Sequence, residues 1–112
     1  MIGIDIEQVK RIQSLIENEV QAKRLFSQEE LDYANARTFP AMHLTGFFCA
    51  KESVIKALGG GIVTEVVVLH SDNGKPYAKL LGKTKALLGD KKIEISISHT
   101  TEYATAICQI TE

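Results

Sequence analysis

The sequence has 112 residues, 45% of them hydrophobic, which suits one compact domain spanning residues 1–112. Thirteen Lys and Arg against fourteen Asp and Glu leave a formal net charge of -1, so the overall field excludes a dedicated nucleic-acid binder and electrostatic recognition must be local. No apolar run reaches membrane-spanning length, and Met1-Ile2-Gly3-Ile4-Asp5 lacks the basic start and long apolar core of a signal peptide.

These features lead us to expect a soluble cytoplasmic protein with no membrane partner. Cys49 and Cys108 sit in separate apolar stretches, which reads as reduced, buried thiols rather than a disulfide or zinc site. A domain this small buries a limited share of its surface, so a homo-oligomer is expected.

Ile2, Ile4 and Ile6 alternate with Gly3 and Asp5, the period of a short opening strand whose odd positions, Asp5 among them, leave the core face. Val9, Ile12, Leu15 and Ile16 then recur at helical spacing, and a second helical stretch runs through Leu25 and Phe26. Ser27 followed by Glu30 is a capping-box signature for a third helix, with Leu31 and Ala34 inward.

After Pro40, Leu44, Phe48, Ile55 and Leu58 close one stripe of the longest helix, Ala41 to Leu58, which Gly59-Gly60-Gly61 ends. A strand is expected to follow at once over Ile62 to His70, with Asn73-Gly74 supplying the positive φ angles of a hairpin turn into a second strand near Tyr77 to Leu81. A short helix over Leu80 to Leu88 precedes two more strands, Lys92 to Ser98 and Tyr103 to Ile110. Helices first and strands afterwards favour an α+β domain, with helices packed on an antiparallel sheet around one long central helix.

On the long helix Glu52 and Lys56 lie four apart, hence on one face, in the manner of an exposed ion pair. Taken singly, Asp5 reads as an ordinary strand acid, and His99, after Ser96 and Ser98, as a turn residue. Three separated blocks change those readings: Gly3-Ile4-Asp5-Ile6, Phe48-Cys49-Ala50-Lys51-Glu52-Ser53-Val54-Ile55-Lys56-Ala57-Leu58-Gly59, and Ser96-Ile97-Ser98-His99. Together with Arg11, Phe26-Ser27-x-x-Glu30-Leu31, Asn73-Gly74-Lys75-Pro76 and Thr100-x-Glu102-Tyr103-Ala104, they resemble the holo-acyl-carrier-protein synthase family of short-chain 4'-phosphopantetheinyl transferases over almost the whole chain.

The resemblance implies the 4'-phosphopantetheinyl transferase-like fold. It also implies transfer of the phosphopantetheine arm of coenzyme A to a serine of apo acyl carrier protein, with release of adenosine 3',5'-bisphosphate. By the family pattern, Asp5 and Glu52 hold Mg2+, Glu52 also serves the serine proton, and Lys56 stabilises the departing phosphate. His99, Ser98, Thr100, Lys75, Pro76, Lys56 and Gly59 are carried over as coenzyme A contacts, and Lys10, Arg11, Lys23 and Arg24 as the basic patch for the acidic carrier. A homotrimer with clefts between neighbours is likewise implied. Phe47 and Cys49 depart from the pattern, which has arginine and a small alanine there. A non-catalytic coenzyme A- or carrier-binding module of the same fold is the alternative.

Overall fold

The computed structural model describes residues 1–112. In chain order the elements are β1 (Ile2–Gln8), α1 (Val9–Ile16), α2 (Glu19–Leu25), α3 (Gln28–Asn35), α4 (Pro40–Leu58), β2 (Val66–His70), β3 (Pro76–Leu80), α5 (Gly82–Leu88), β4 (Lys92–His99) and β5 (Tyr103–Thr111). The strands form two antiparallel sheets, one ordered β1-β5-β4 and one of β2 with β3. The expected α+β segregation is therefore present, divided over two sheets rather than one.

Helix α4 is the axis of the molecule. Pro40 opens it at a position where its missing N–H costs nothing, and Gly59 closes it in the left-handed conformation at φ 74°. Leu44, Phe47, Phe48, Cys49, Ala50 and Val54 are all buried along it, so more than one stripe of the helix is covered. The three-stranded sheet lies on one side, with Ile95, Ala104, Ala106, Cys108 and Ile110 in the shared core. Both cysteines are free and buried, as expected.

Helix α3 starts with the complete capping box, in which Ser27 and Glu30 each accept from the other's backbone N–H. Glu30 reaches further than a cap requires. Its carboxylate is fully buried, accepts a bond from Lys51 Nζ at 2.7 Å and another from the Val68 N–H at 2.8 Å. Lys51 also donates to the Leu25 carbonyl at 2.7 Å. One buried ion pair therefore ties the end of α2, the start of α3, the middle of α4 and strand β2.

Three expectations are corrected. Asp5 faces inward: Gly3, Asp5 and Glu7 turn toward α4, while Ile2, Ile4 and Ile6 are 66%, 62% and 66% exposed. The reason is close packing, because a Cβ on Gly3 would stand 2.0 Å from the Ser53 carbonyl oxygen; only glycine lets β1 settle on the helix. Second, the chain does not enter a strand directly after the glycines. Val63–Glu65 form a 3-10 turn whose Glu65 carboxylate accepts the N–H groups of Lys83 and Thr84 at the start of α5, and β2 begins at Val66. Third, only Gly74 has positive φ in the β2–β3 turn; the Asn73 side chain instead accepts from the Ser71 hydroxyl and the Lys75 N–H.

Candidate active site

Strand β1 and helix α4 bring the sequence-predicted acids together. Asp5 lies on the strand face that packs against α4, its side chain 11% exposed, and Glu52 stands on the helix in the electrostatic reach of both Asp5 and Glu7. Burial pushes the Glu52 carboxyl above the usual glutamate range, and the negative charges of Asp5 and Glu7 push it further, against a smaller opposing pull from Lys56 and Arg11.

Lys56 is not paired with Glu52 as the helical spacing led us to expect. Its ammonium donates to the Ile4 carbonyl at 3.0 Å and meets Asp5 Oδ1 at 3.3 Å, so it crosses to the strand. The inward turn of Asp5 puts an acceptor and a charge there, against which an exposed (i, i+4) partner competes poorly. An ammonium has three N–H donors, of which two are used, and the side chain is 55% exposed.

Asp5 Oδ2 is buried and has no hydrogen-bond partner. Such an oxygen is costly unless something completes it, and a divalent cation is a fitting partner beside a second carboxylate. No cluster of three or more protein ligands closes a cage. Two carboxylates with water and substrate phosphate fit the oxygen-only, incompletely protein-bound shell that Mg2+ takes. The residues present therefore fit the ion.

Glu7 was not read as a site residue from the sequence. It shares the parity of Asp5 on β1, its side chain is 17% exposed, and it forms an ion pair with Arg11 one turn into α1. Both signals, the i, i+2 spacing on a strand and the i, i+4 spacing to an arginine, were present in the sequence.

The second group gathers toward the N-terminal half of α4. A Cβ on Gly46 would meet Ile97 and His99, and six residues separate Gly46 from Glu52, a rise of about 9 Å along the helix. His99, Pro76, His43, His70, Tyr33 and Phe47 line a cavity of about 170 Å³ that contains no carboxylate. His70 stacks on Tyr33 at 3.8 Å, the Arg37 guanidinium lies 3.3 Å from the centre of the same ring, and His43 meets His99 edge-on at 5.2 Å.

Phe47 is buried here, tilted against Tyr33 and His70 at 5.5 and 5.6 Å. Where the family pattern is expected to have an arginine, this chain thus has an aromatic contact, and the basic side chains nearby are the imidazoles of His43, His70 and His99 and the Arg37 guanidinium. Tyr33 and His70 were not singled out from the sequence; no local spacing links residues that meet only in the fold.

The other predicted residues are placed as follows. Thr100 orders the β4–β5 turn by accepting the N–H groups of Glu102 and Tyr103, and Ser98 is exposed at the end of β4. Lys75 lies 3.8 Å from Glu94, on the hairpin rather than in the histidine cavity. Gly59 closes α4 with open space around it. Arg11 and Arg24 border a groove of about 340 Å³ floored by Leu15, Leu25 and Phe48, and Lys23 pairs with Glu19 outside it. Lys10 borders a different hollow, beside Gln13, Phe39 and Tyr103. The four basic residues therefore do not form one patch.

Residues 1–108 match the family model of the 4'-phosphopantetheinyl transferase superfamily. A holo-acyl-carrier-protein synthase of Caldanaerobacter subterraneus subsp. tengcongensis is 40% identical over 114 residues, covering 95% of this chain and 90% of its own. One from Protochlamydia amoebophila is 42% identical over 112 residues, with 94% and 92% covered. Among solved structures, the Helicobacter pylori holo-acyl-carrier-protein synthase in complex with coenzyme A superposes with a TM-score of 0.83 at 26% identity, covering 99% of this chain and 100% of that one. With fold, site and sequence agreeing from end to end, the chain belongs to the 4'-phosphopantetheinyl transferase superfamily.

Proposed function

We propose that this protein is a holo-acyl-carrier-protein synthase that transfers 4'-phosphopantetheine from coenzyme A to a serine of apo acyl carrier protein. The single observation that carries the reading is the Asp5, Glu52 and Lys56 constellation, in which a buried carboxylate oxygen without a partner stands beside a second carboxylate and a tethered ammonium. It supports phosphoryl transfer rather than mere ligand binding, because a binding module has no need of an unsatisfied buried oxygen.

In the reaction the serine Oγ attacks the pantetheine-side phosphorus, the bond from that phosphorus to the bridging oxygen breaks, and adenosine 3',5'-bisphosphate leaves. Asp5 and Glu52 would hold Mg2+, which supplies charge neutralisation at the pyrophosphate when bound. Glu52, whose proton affinity is raised by burial and by its acidic neighbours, takes the serine proton. Lys56 keeps one N–H for a phosphate oxygen as negative charge builds.

The nucleotide half of coenzyme A reaches His99, Ser98, Thr100, Lys75 and Pro76, about one and a half helical turns from the acids. Lys56 and Gly59 flank its other end. The carboxylate-free histidine cavity supports this, since imidazole N–H donors suit a phosphate and the aromatic rings suit a base. The groove of Leu15, Leu25 and Phe48 between Arg11 and Arg24 suits an acidic carrier with an apolar contact face. Lys10 and Lys23 lie outside this groove, so Arg11 and Arg24 are the cations assigned to the carrier.

Subunits of a homotrimer meet along the exposed strip of Ile2, Ile4, Ile6 and Ile107, an apolar face that a lone domain would leave in water. No helix is long and apolar enough to cross a membrane, and we place the enzyme in the cytoplasm with its carrier.

The test is incubation of the purified protein with coenzyme A, MgCl2 and a bacterial apo acyl carrier protein, read by intact mass. Addition of one phosphopantetheine to the carrier serine is expected, with none for Glu52→Gln. Tight coenzyme A binding with no modification of any carrier tried would leave only the binding module.

A further inference from the structure

Glu7 is a third carboxylate at the acidic pair, and its charge is held by Arg11. Gly3, Asp5 and Glu7 alternate on the β1 face that packs on α4. Glu7 raises the proton affinity of Glu52, as Asp5 does, while Arg11 acts on Glu52 in the opposite sense. The two side chains bond to one another, Glu7 mostly covered and Arg11 57% exposed. Arg11 also borders the groove floored by Leu15, Leu25 and Phe48. One guanidinium thus belongs to two places: inward, to a carboxylate of the metal-binding face, and outward, to the rim of the groove.

We propose that Arg11 is exchanged between Glu7 and an acidic group of the docked carrier, and that the exchange couples carrier binding to divalent-cation binding at Asp5 and Glu52. The inference rests on the transferase reading of the site. An exposed ion pair between residues four apart is weak, so a carboxylate on an incoming partner competes with Glu7 on nearly equal terms. When Arg11 turns outward, the Glu7 charge beside Asp5 and Glu52 is no longer countered by its bonded guanidinium, and the positive field that opposed a cation moves away.

Both changes favour the cation, and by linkage the bound cation favours the outward Arg11 and hence the carrier. Glu7 acts here through the field at the acidic pair and is a positioning residue, not a metal ligand; with Asp5 and Glu52 it forms no three-ligand cluster. Lys56 is the remaining cation at this face. Its tether to Asp5 and the Ile4 carbonyl is independent of Arg11, so it does not take part in the exchange.

The experiment measures Mn2+ binding by electron paramagnetic resonance of the free ion, without coenzyme A. The titration is made with and without an apo acyl carrier protein whose acceptor serine is replaced by alanine, so that no turnover occurs. For the wild-type chain the carrier should tighten Mn2+ binding by at least about fivefold, the lower end of ordinary coupling between sites. In Glu7→Gln the Arg11 guanidinium loses its bonded partner on the acidic face, and the carrier effect should fall below about twofold while Mn2+ binding alone weakens.

Arg11→Gln should do the reverse for the cation, tightening Mn2+ in the absence of carrier and leaving the carrier little to add. Carrier and Mn2+ that both bind the wild-type chain but independently, or a Glu7→Gln chain with undiminished coupling, would overturn the exchange and leave the transferase reading intact. Failure of the wild-type chain to bind Mn2+ or carrier in this titration would likewise overturn the exchange, whereas the transferase reading, whose cation shell includes substrate phosphate, stands or falls on the carrier-modification assay.

Discussion

The ammonium of Lys56 lies 3.3 Å from Asp5 Oδ1, so the helix and the first strand are joined at two of the residues proposed to carry the chemistry. Residue 56 lies one turn beyond Glu52, yet its partner comes from 51 positions away in sequence. The contact fixes where the positive charge stands without consuming it. Lys56→Met should lower kcat for carrier modification by roughly 10²- to 10³-fold, the range for losing one well-placed donor to a developing charge. The melting temperature should change little, because an ion pair with one partner 55% exposed contributes under about 1 kcal/mol. A variant that loses kcat and folding together would show Lys56 to be structural.

Lys51, the neighbour of Glu52, calls for the opposite expectation. It is 2% exposed, paired with a fully buried Glu30, and bonded to the Leu25 carbonyl. Burial lowers its proton affinity, and Glu30 opposes that by holding the proton in place. Lys51→Met leaves the Glu30 carboxylate buried without its countercharge, which costs about 3–5 kcal/mol. Urea unfolding should show the midpoint shift at unchanged slope. The Lys51-Glu52 dipeptide thus joins a structural anchor to the proposed catalytic group, and two variants one residue apart should separate stability from turnover.

The reach of the sequence can be judged from such pairs. Helical periods, the Ser27–Glu30 capping box and the glycines after Leu58 located every helix, because those signals act within one or two turns of chain. Asp5, Glu52, Lys56 and His99 were singled out through motif resemblance alone, since periodicity gave no reason to group them. The facing of β1 was misread because alternation tells which residues share a face, not which face is covered. In this chain the isoleucine face is left open and the Gly3, Asp5, Glu7 face is pressed on α4. Glu30 read as a cap and proved also to be the partner of Lys51, 21 residues away, a pairing no local rule encodes.

Arg24 tests the carrier groove without touching the acids. It borders the groove with Arg11, and neither Asp5 nor Glu52, the proposed metal pair, is part of that lining. Arg24→Glu should raise KM for the carrier by about tenfold or more, with a repulsive charge in place of an attractive one, and leave kcat near its wild-type value. Raising ionic strength should narrow the difference, since an exposed rim charge is screened over about 8–10 Å. A loss confined to kcat would move Arg24 out of the docking surface.

The histidine cavity makes a prediction about pH. Burial lowers the proton affinity of His43, helped by the positive fields of His99 and Arg37; His70 is lowered by burial, then by Arg37 and His43. Both groups therefore bind a proton less readily in the folded chain than in the unfolded one. Below the unfolded histidine value, near 6.5, the unfolded state gains protons that the folded state resists, so stability falls as pH drops through that window and is restored above it. The ligand-free melting temperature should decline from pH 7.5 toward pH 5.5, and His43→Gln with His70→Gln should flatten this part of the profile. Coenzyme A should oppose the decline. A phosphate against the cavity favours the charged imidazoles, so its stabilisation should grow as pH falls, whereas stabilisation that is constant or shrinks on acidification would place the phosphates elsewhere.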